Sequence, residues 1–226
     1  MALGTPEGRG YDTRAYFSGS DLDLGSETTV SGEFVVAIVF VDGAGNEPTG
    51  LSGHDGTTAW AKIGSVENIG SVGFSCWGAH SSGATESITV QRATSAAMTA
   101  VAGSVTGADV SGTIANTLVQ VDQDSNYTSS MVLSLPAAAT LTIGLWGNKA
   151  GALITTDDTE IQGSTNNQLA IDYNATGNTA PGASNASNDN SGYFSFEVKV
   201  AGGGGGGIEL VSPHSMRSYR YSGRYV

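Results

Sequence analysis

Residues Phe34 to Val41 form an unbroken apolar run, Phe-Val-Val-Ala-Ile-Val-Phe-Val, with Gly32 and Gly43 near its ends. The run is too short to cross a bilayer as a helix and is rich in β-branched and aromatic residues. It therefore predicts a strand over Glu33 to Asp42 that is buried on both faces. Such a strand needs a covering layer on each side. The rest of the chain supplies candidates. Alternation with period two marks Val72, Phe74 and Cys76, then Ser87 to Gln91, then Met131, Leu133 and Leu135, then Leu141, Ile143 and Leu145. The clearest case places Phe194, Phe196, Val198 and Val200 on one side, with Tyr193, Ser195, Glu197 and Lys199 on a side expected to face water. Further strands are predicted at Thr58 to Ile63, 113–121 and Met98 to Val105, the last in preference to a helix over Ala93 to Ala102. Arg14 to Phe17 and Asp21 to Leu24 are short edge-strand candidates. The polar, Gly- and Asn-rich stretches from Asp42 to Thr58 and from Gln162 to Asn190 are expected to be loops.

These elements predict an all-β fold: a two-sheet antiparallel sandwich of jelly-roll-like form, with a glycine hinge and an extended C-terminal arm. Residues 1–27 form an N-terminal segment with an edge strand, 28–201 the sandwich, 202–207 a glycine linker and 208–226 a basic, tyrosine-rich arm. Composition agrees. The chain has 33 glycines in 226 residues and only 13 % charged residues, which suits short strands and tight turns and is poor for helices.

The net charge of -12 is unevenly spread. Residues 15–207 hold 18 acidic and four basic side chains, whereas Arg217, Arg220 and Arg224 lie within the last ten positions. An acidic body argues against nucleic acid as a partner, because phosphate contacts need Lys and Arg. No apolar run is long enough for a membrane span, and the first residues carry no signal-peptide pattern, so synthesis in a cytoplasm is expected.

Candidate chemistry is sparse. The chain has one cysteine, Cys76, and three histidines, His54, His80 and His214, and it lacks the G-x-S-x-G nucleophile elbow. Cys76 is expected to pack as a small hydrophobe. A Cys76 and His80 dyad would share a strand face but stand over about 10 Å apart at strand rise. Asp122-Gln123-Asp124-Ser125-Asn126 opens like a calcium loop, then fails where Tyr127 replaces the turn glycine and Leu133 the bidentate glutamate. No cofactor is expected, a loose Ca²⁺ site between loops being the one exception weighed. Asp21 with Asp23, and Asp157, Asp158 and Glu160, are further carboxylate groups, which glycoside hydrolysis would need in pairs. Trp60, Trp77 and Trp146 could stack on sugars, although two of the three are expected in the core.

The arm is the feature with most functional content. Ile208, Leu210 and Val211 can add a short strand to another sheet's edge, while Arg217, Tyr219, Arg220, Tyr221, Arg224 and Tyr225 are of the types enriched at interface hot spots. The six glycines before it span about 13 Å as a random coil.

The buried run Phe34 to Val41, the Trp60-Ala61-Lys62-Ile63 strand, the aromatic strand ending near Trp77, the Ile88-Thr89-Val90 strand and the turn Val105-Thr106-Gly107-Ala108-Asp109 occur in order. Over residues 28–201 this pattern resembles jelly-roll-like β-sandwich domains of tailed-bacteriophage virion proteins, of the head-decoration and tail-fibre types. The resemblance implies a non-enzymatic structural protein present in many copies, located in a virion, with other virion proteins as partners through residues 208–226 and a homo-oligomeric state. It carries no functional residues across. The rival expectation is a carbohydrate-binding sandwich that recognises a host-surface glycan, and a third is a hydrolase with paired carboxylates.

Overall fold

The computed structural model describes residues 3–14, 21–42, 47–56, 58–69, 71–91, 97–150, 153–164 and 168–202. In chain order the strands are β1 (Glu7–Arg14), β2 (Leu22–Thr28), β3 (Phe34–Asp42), β4 (Gly50–Ser52), β5 (Thr58–Ile69), β6 (Val72–His80), β7 (Thr85–Gln91) and β8 (Met98–Val105). A single-turn helix, α1 (Ile114–Thr117), leads into β9 (Leu118–Val132), β10 (Thr142–Asn148), β11 (Ile154–Thr156), β12 (Thr159–Gly163), β13 (Leu169–Asn174) and β14 (Gly182–Val198).

The strands form three antiparallel sheets. The middle sheet runs β1-β8-β3-β6-β5, a small sheet β2-β7-β4 covers one of its faces, and a six-stranded sheet covers the other. In the six-stranded sheet β14 is flanked by β9 along one edge and by β10 and β11 along the other, with β13 and β12 beyond β10. The all-β sandwich is thus built with one layer more than two sheets require. The apolar run explains why. Phe34, Val36, Ile38 and Phe40 of β3 pack toward the six-stranded sheet, while Val35, Ala37, Val39 and Val41 pack toward β2, β4 and β7. All eight are buried. Burial of that kind on both faces contributes roughly 1.5 to 3 kcal/mol per large side chain.

The two large sheets approach closely. Phe74 of β6 lies over Gly147 and Gly192, which face each other on β10 and β14. A Cβ on either glycine would come within about 2.5 Å of the ring.

Ile114–Thr117, within the expected 113–121 strand, form a helical turn; Gly50–Ser52, within the expected loop from Asp42 to Thr58, form a strand; and of the Arg14 to Phe17 candidate only Arg14 is among the described residues. Two larger regions depart from expectation. The stretch from Gln162 to Asn190 is mostly ladder: its described residues include the end of β12, all of β13 and the first half of β14, whose backbone pairs with β9 and β11. Polar side chains tolerate a strand when the backbone bonds are supplied by neighbours. The second departure is the outer face of β14. Tyr193, Ser195 and Glu197 are buried, because the chain after β9 turns back across that face. Met131, Leu133, Ile154 and Ala183 close over Trp146, Ala170 and Tyr193 as a third small core.

Candidate functional site

The arm residues Ile208, Leu210, Val211, Arg217, Tyr219, Arg220, Tyr221, Arg224 and Tyr225 lie outside the described residues, as do His214 and the glycines after Gly202. What the structure gives is the place the arm departs from. Val198, the last residue of β14, pairs with Leu118, the first of β9. Lys199 N–H then donates to Thr117 O and Ala201 N–H to Gly107 O, both at 2.8 Å, and Val200 bridges Ala108. Lys199 Nζ reaches Asp109 Oδ2 at 2.7 Å. That contact, with the Ser111 hydroxyl and N–H, holds the Asp109 carboxyl well below the usual carboxylate range. The turn Val105 to Asp109 therefore staples the exit of the chain to the body.

His80 anchors the same corner from within. Its Nε2 lies 2.8 Å from Thr117 Oγ1, whose hydroxyl donates to Asp109 O at 2.9 Å. With that proton committed, Nε2 carries the hydrogen, and Nδ1 lies 3.0 Å from Thr58 Oγ1. Burial lowers the His80 pKa, against the opposing charge of Asp109. The ring is a structural tie between β6, β5 and α1. Cys76 shares its strand face but sits in the apolar core, where burial pushes the thiol up, so the two do not make a dyad.

Beside the exit, β9 is an edge strand of 15 residues. Among the described residues no backbone ladder pairs with its outer side. Six large apolar side chains are exposed on the described surface, and four of them, Val119, Val121, Tyr127 and Val132, belong to β9. Edge strands are commonly guarded by lysine or proline. β9 has neither; its only charges are Asp122 and Asp124. Where β9 faces β5, the register of β5 against β6 shifts between Ile63 and Glu67. A groove of about 310 Å³ opens there, lined by Ile63 and Gly64, by Ile114 and by Leu118, Val119 and Val121. Farther along, side chains close the gap: Gln123 Oε1 accepts from Ser65 N–H at 2.9 Å, and Ser125 Oγ donates to Glu67 Oε2 at 2.7 Å.

The other candidates resolve differently. Asp122 to Asn126 lie extended in β9 and do not loop around an ion. Asp122 accepts from the N–H groups of Gln123 and Ser134, and Asp124 from Ser125 N–H and the Tyr193 hydroxyl. Trp60, Trp77 and Trp146 are all buried, so none offers a ring face to a sugar. A polar cleft of about 560 Å³ near Asp55, His80, Ser81 and Glu86 lies beside His54. There Nδ1 of His54 meets Thr29 Oγ1 at 3.1 Å, Nε2 meets Glu86 O at 2.7 Å, and Thr29 in turn bonds Ser81 Oγ. Both nitrogens are spent on holding the 53–56 loop.

Sequence reasoning also missed a buried carboxyl on β13. Asp172 of β13 is fully buried above Gly144, and neither of its oxygens makes a hydrogen bond of normal geometry; nor does the nearby Trp146 Nε1. Desolvation, with the negative charge of Asp158 adding to it, raises its pKa from 3.8 to about 7, despite the nearness of the indole. Its flanks, Ala170-Ile171 and Tyr173, gave no sign that an Asp would face a covered surface. Against protein-family models, curated proteins and solved structures, the chain finds no match.

Proposed function

We propose that this chain is a non-enzymatic virion building block, a capsid-decoration or tail-fibre type of protein, held to its neighbours by residues 208–226. The observation that carries the reading is the corner where Lys199 to Ala201 are stapled to the 107–109 turn. A segment leaving from so firmly held a point transmits its attachment to the whole body. An acidic body, -14 over residues 15–207, and an arm with Arg217, Arg220 and Arg224 are complementary between copies or between proteins. The virion setting rests on the resemblance of residues 28–201. A non-enzymatic role is supported by the way His54, His80 and Cys76 are used up in packing and internal bonds.

The test is deletion of residues 208–226. The body is expected to keep its β-sheet circular dichroism and its melting temperature within a few degrees, while co-assembly into particles is lost. Unchanged incorporation would refute the reading.

A further inference from the structure

Of the surfaces that the fold leaves unexplained, the outer edge of β9 with its adjoining groove is the one that specifies an occupant. Among the described residues its outer backbone is unpaired at the start of a long strand, and Val119 and Val121 are 58 % and 40 % exposed. Val121 pairs with Phe196, whose side chain lies in the main core, so Val121 stands on the inner face of the sheet where that face runs out. A strand laid beside it would continue the core outward. Any such strand must bring apolar residues at alternate positions, and its continuation must tolerate an acidic body.

We infer that this edge takes Ile208 to Val211 of a second copy of the chain as an added antiparallel strand, with Ile208 and Leu210 entering the groove over Ile63 and Ile114. The inference deepens the proposed function and rests on it. Ile208 and Leu210 are two apart and share a face in a strand, as the groove requires. The Arg-bearing residues that follow carry three positive charges toward a body of -14. Direction selects a second copy over the chain's own arm. β14 ends opposite the start of β9, so the chain leaves heading away from the edge it would have to cover. Returning after one reversal, it would run parallel to β9, whereas every named strand pair in the molecule is antiparallel. A neighbour's arm arrives without that restriction. Each copy has one arm and one edge, so the contact is heterologous and builds rings or rows.

Single-cysteine variants test the pairing, because native Cys76 is buried. Leu210→Cys and Val121→Cys, mixed and mildly oxidised, should give a disulfide dimer that neither gives alone. No dimer in the mixture, or an intrachain bond in the double variant in its place, overturns the inference. Sedimentation separates this result from the function itself. Val121→Asp and Val119→Asp, checked for an unchanged melting temperature, should weaken self-association at least tenfold, as deletion of 208–226 does. If the deletion yields monomers and the two aspartates do not, the arm binds elsewhere and only the docking site falls. If the deletion leaves association and incorporation intact, both fall.

Discussion

Glu197 and Asp172 are carboxyl groups buried on the same outer face of the six-stranded sheet, and the protein treats them in opposite ways. Burial pushes Glu197 up, but the N–H of Ala139, the hydroxyl of Thr140, the amide of Gln120 and the N–H of Thr140 all donate to it. Their sum wins, and its pKa is held below the usual glutamate range. Asp172 is completely buried, and the Trp146 indole and nearby backbone N–H groups do not offset its desolvation and the charge of Asp158, so its pKa climbs to about 7. The segment that turns back over the sheet is nailed down at the Glu197 end by charge-assisted bonds. Beside Asp172 the turn that carries Asp158 brings a second negative charge instead.

The largest effect expected is at Asp172. Its folded state keeps a proton that the unfolded chain releases near 3.8, so stability is full below that pH, falls as pH rises toward about 7, and is level above it. Asp172→Asn should abolish that slope and stabilise the protein at pH 8 by up to about 4 kcal/mol, at roughly 1.4 kcal/mol per pKa unit. Denaturant titrations at pH 4, 6 and 8 decide it; a parallel slope in the variant would locate the effect elsewhere. Glu197→Ala comes next. It orphans two backbone N–H groups, and a loss of about 3 kcal/mol is expected at pH 7. In the parent that contribution is present above the unfolded glutamate pKa and is lost as pH falls through the depressed folded value. Thr140→Val, which removes one donor of four, should cost about 1.5 kcal/mol and move the midpoint of the Glu197 carboxyl titration, followed by NMR, to higher pH. If it costs as much as Glu197→Ala, the bonds act as a unit and the comparison needs redrawing.

The contrast also marks how far the sequence could be read. Two-sided burial of β3 followed from eight apolar residues between glycines, and β8 was legible as a strand because Met98 to Val105 offers β-branched and small residues with no helical stripe. The covered face of β14 was not legible. Tyr193, Ser195 and Glu197 look like a wet face, and what buries them comes from more than 50 residues earlier in the chain. Asn-, Ser- and Thr-rich residues 168–190 concealed strands for a related reason: their backbone partners are distant, and side-chain polarity reports exposure rather than pairing. At the candidate site, a strand over 113–121 was legible from Leu118 onward, but the helical turn Ile114–Thr117 before it was not. Only the sheet order, in which β9 pairs with β14 alone among the described residues, shows that this strand is left without a neighbour.

The last strand has a mechanical consequence. β14 is 17 residues long and is hydrogen-bonded along both edges, to β9 on one side and to β10 and β11 on the other. A pull on the chain beyond it first meets the bonds of Lys199 and Ala201; directed along β14, it then loads many ladder bonds in shear at once. A molecule fastened by that end yields only when its largest sheet slides as a whole, at a rate set by the height of that barrier.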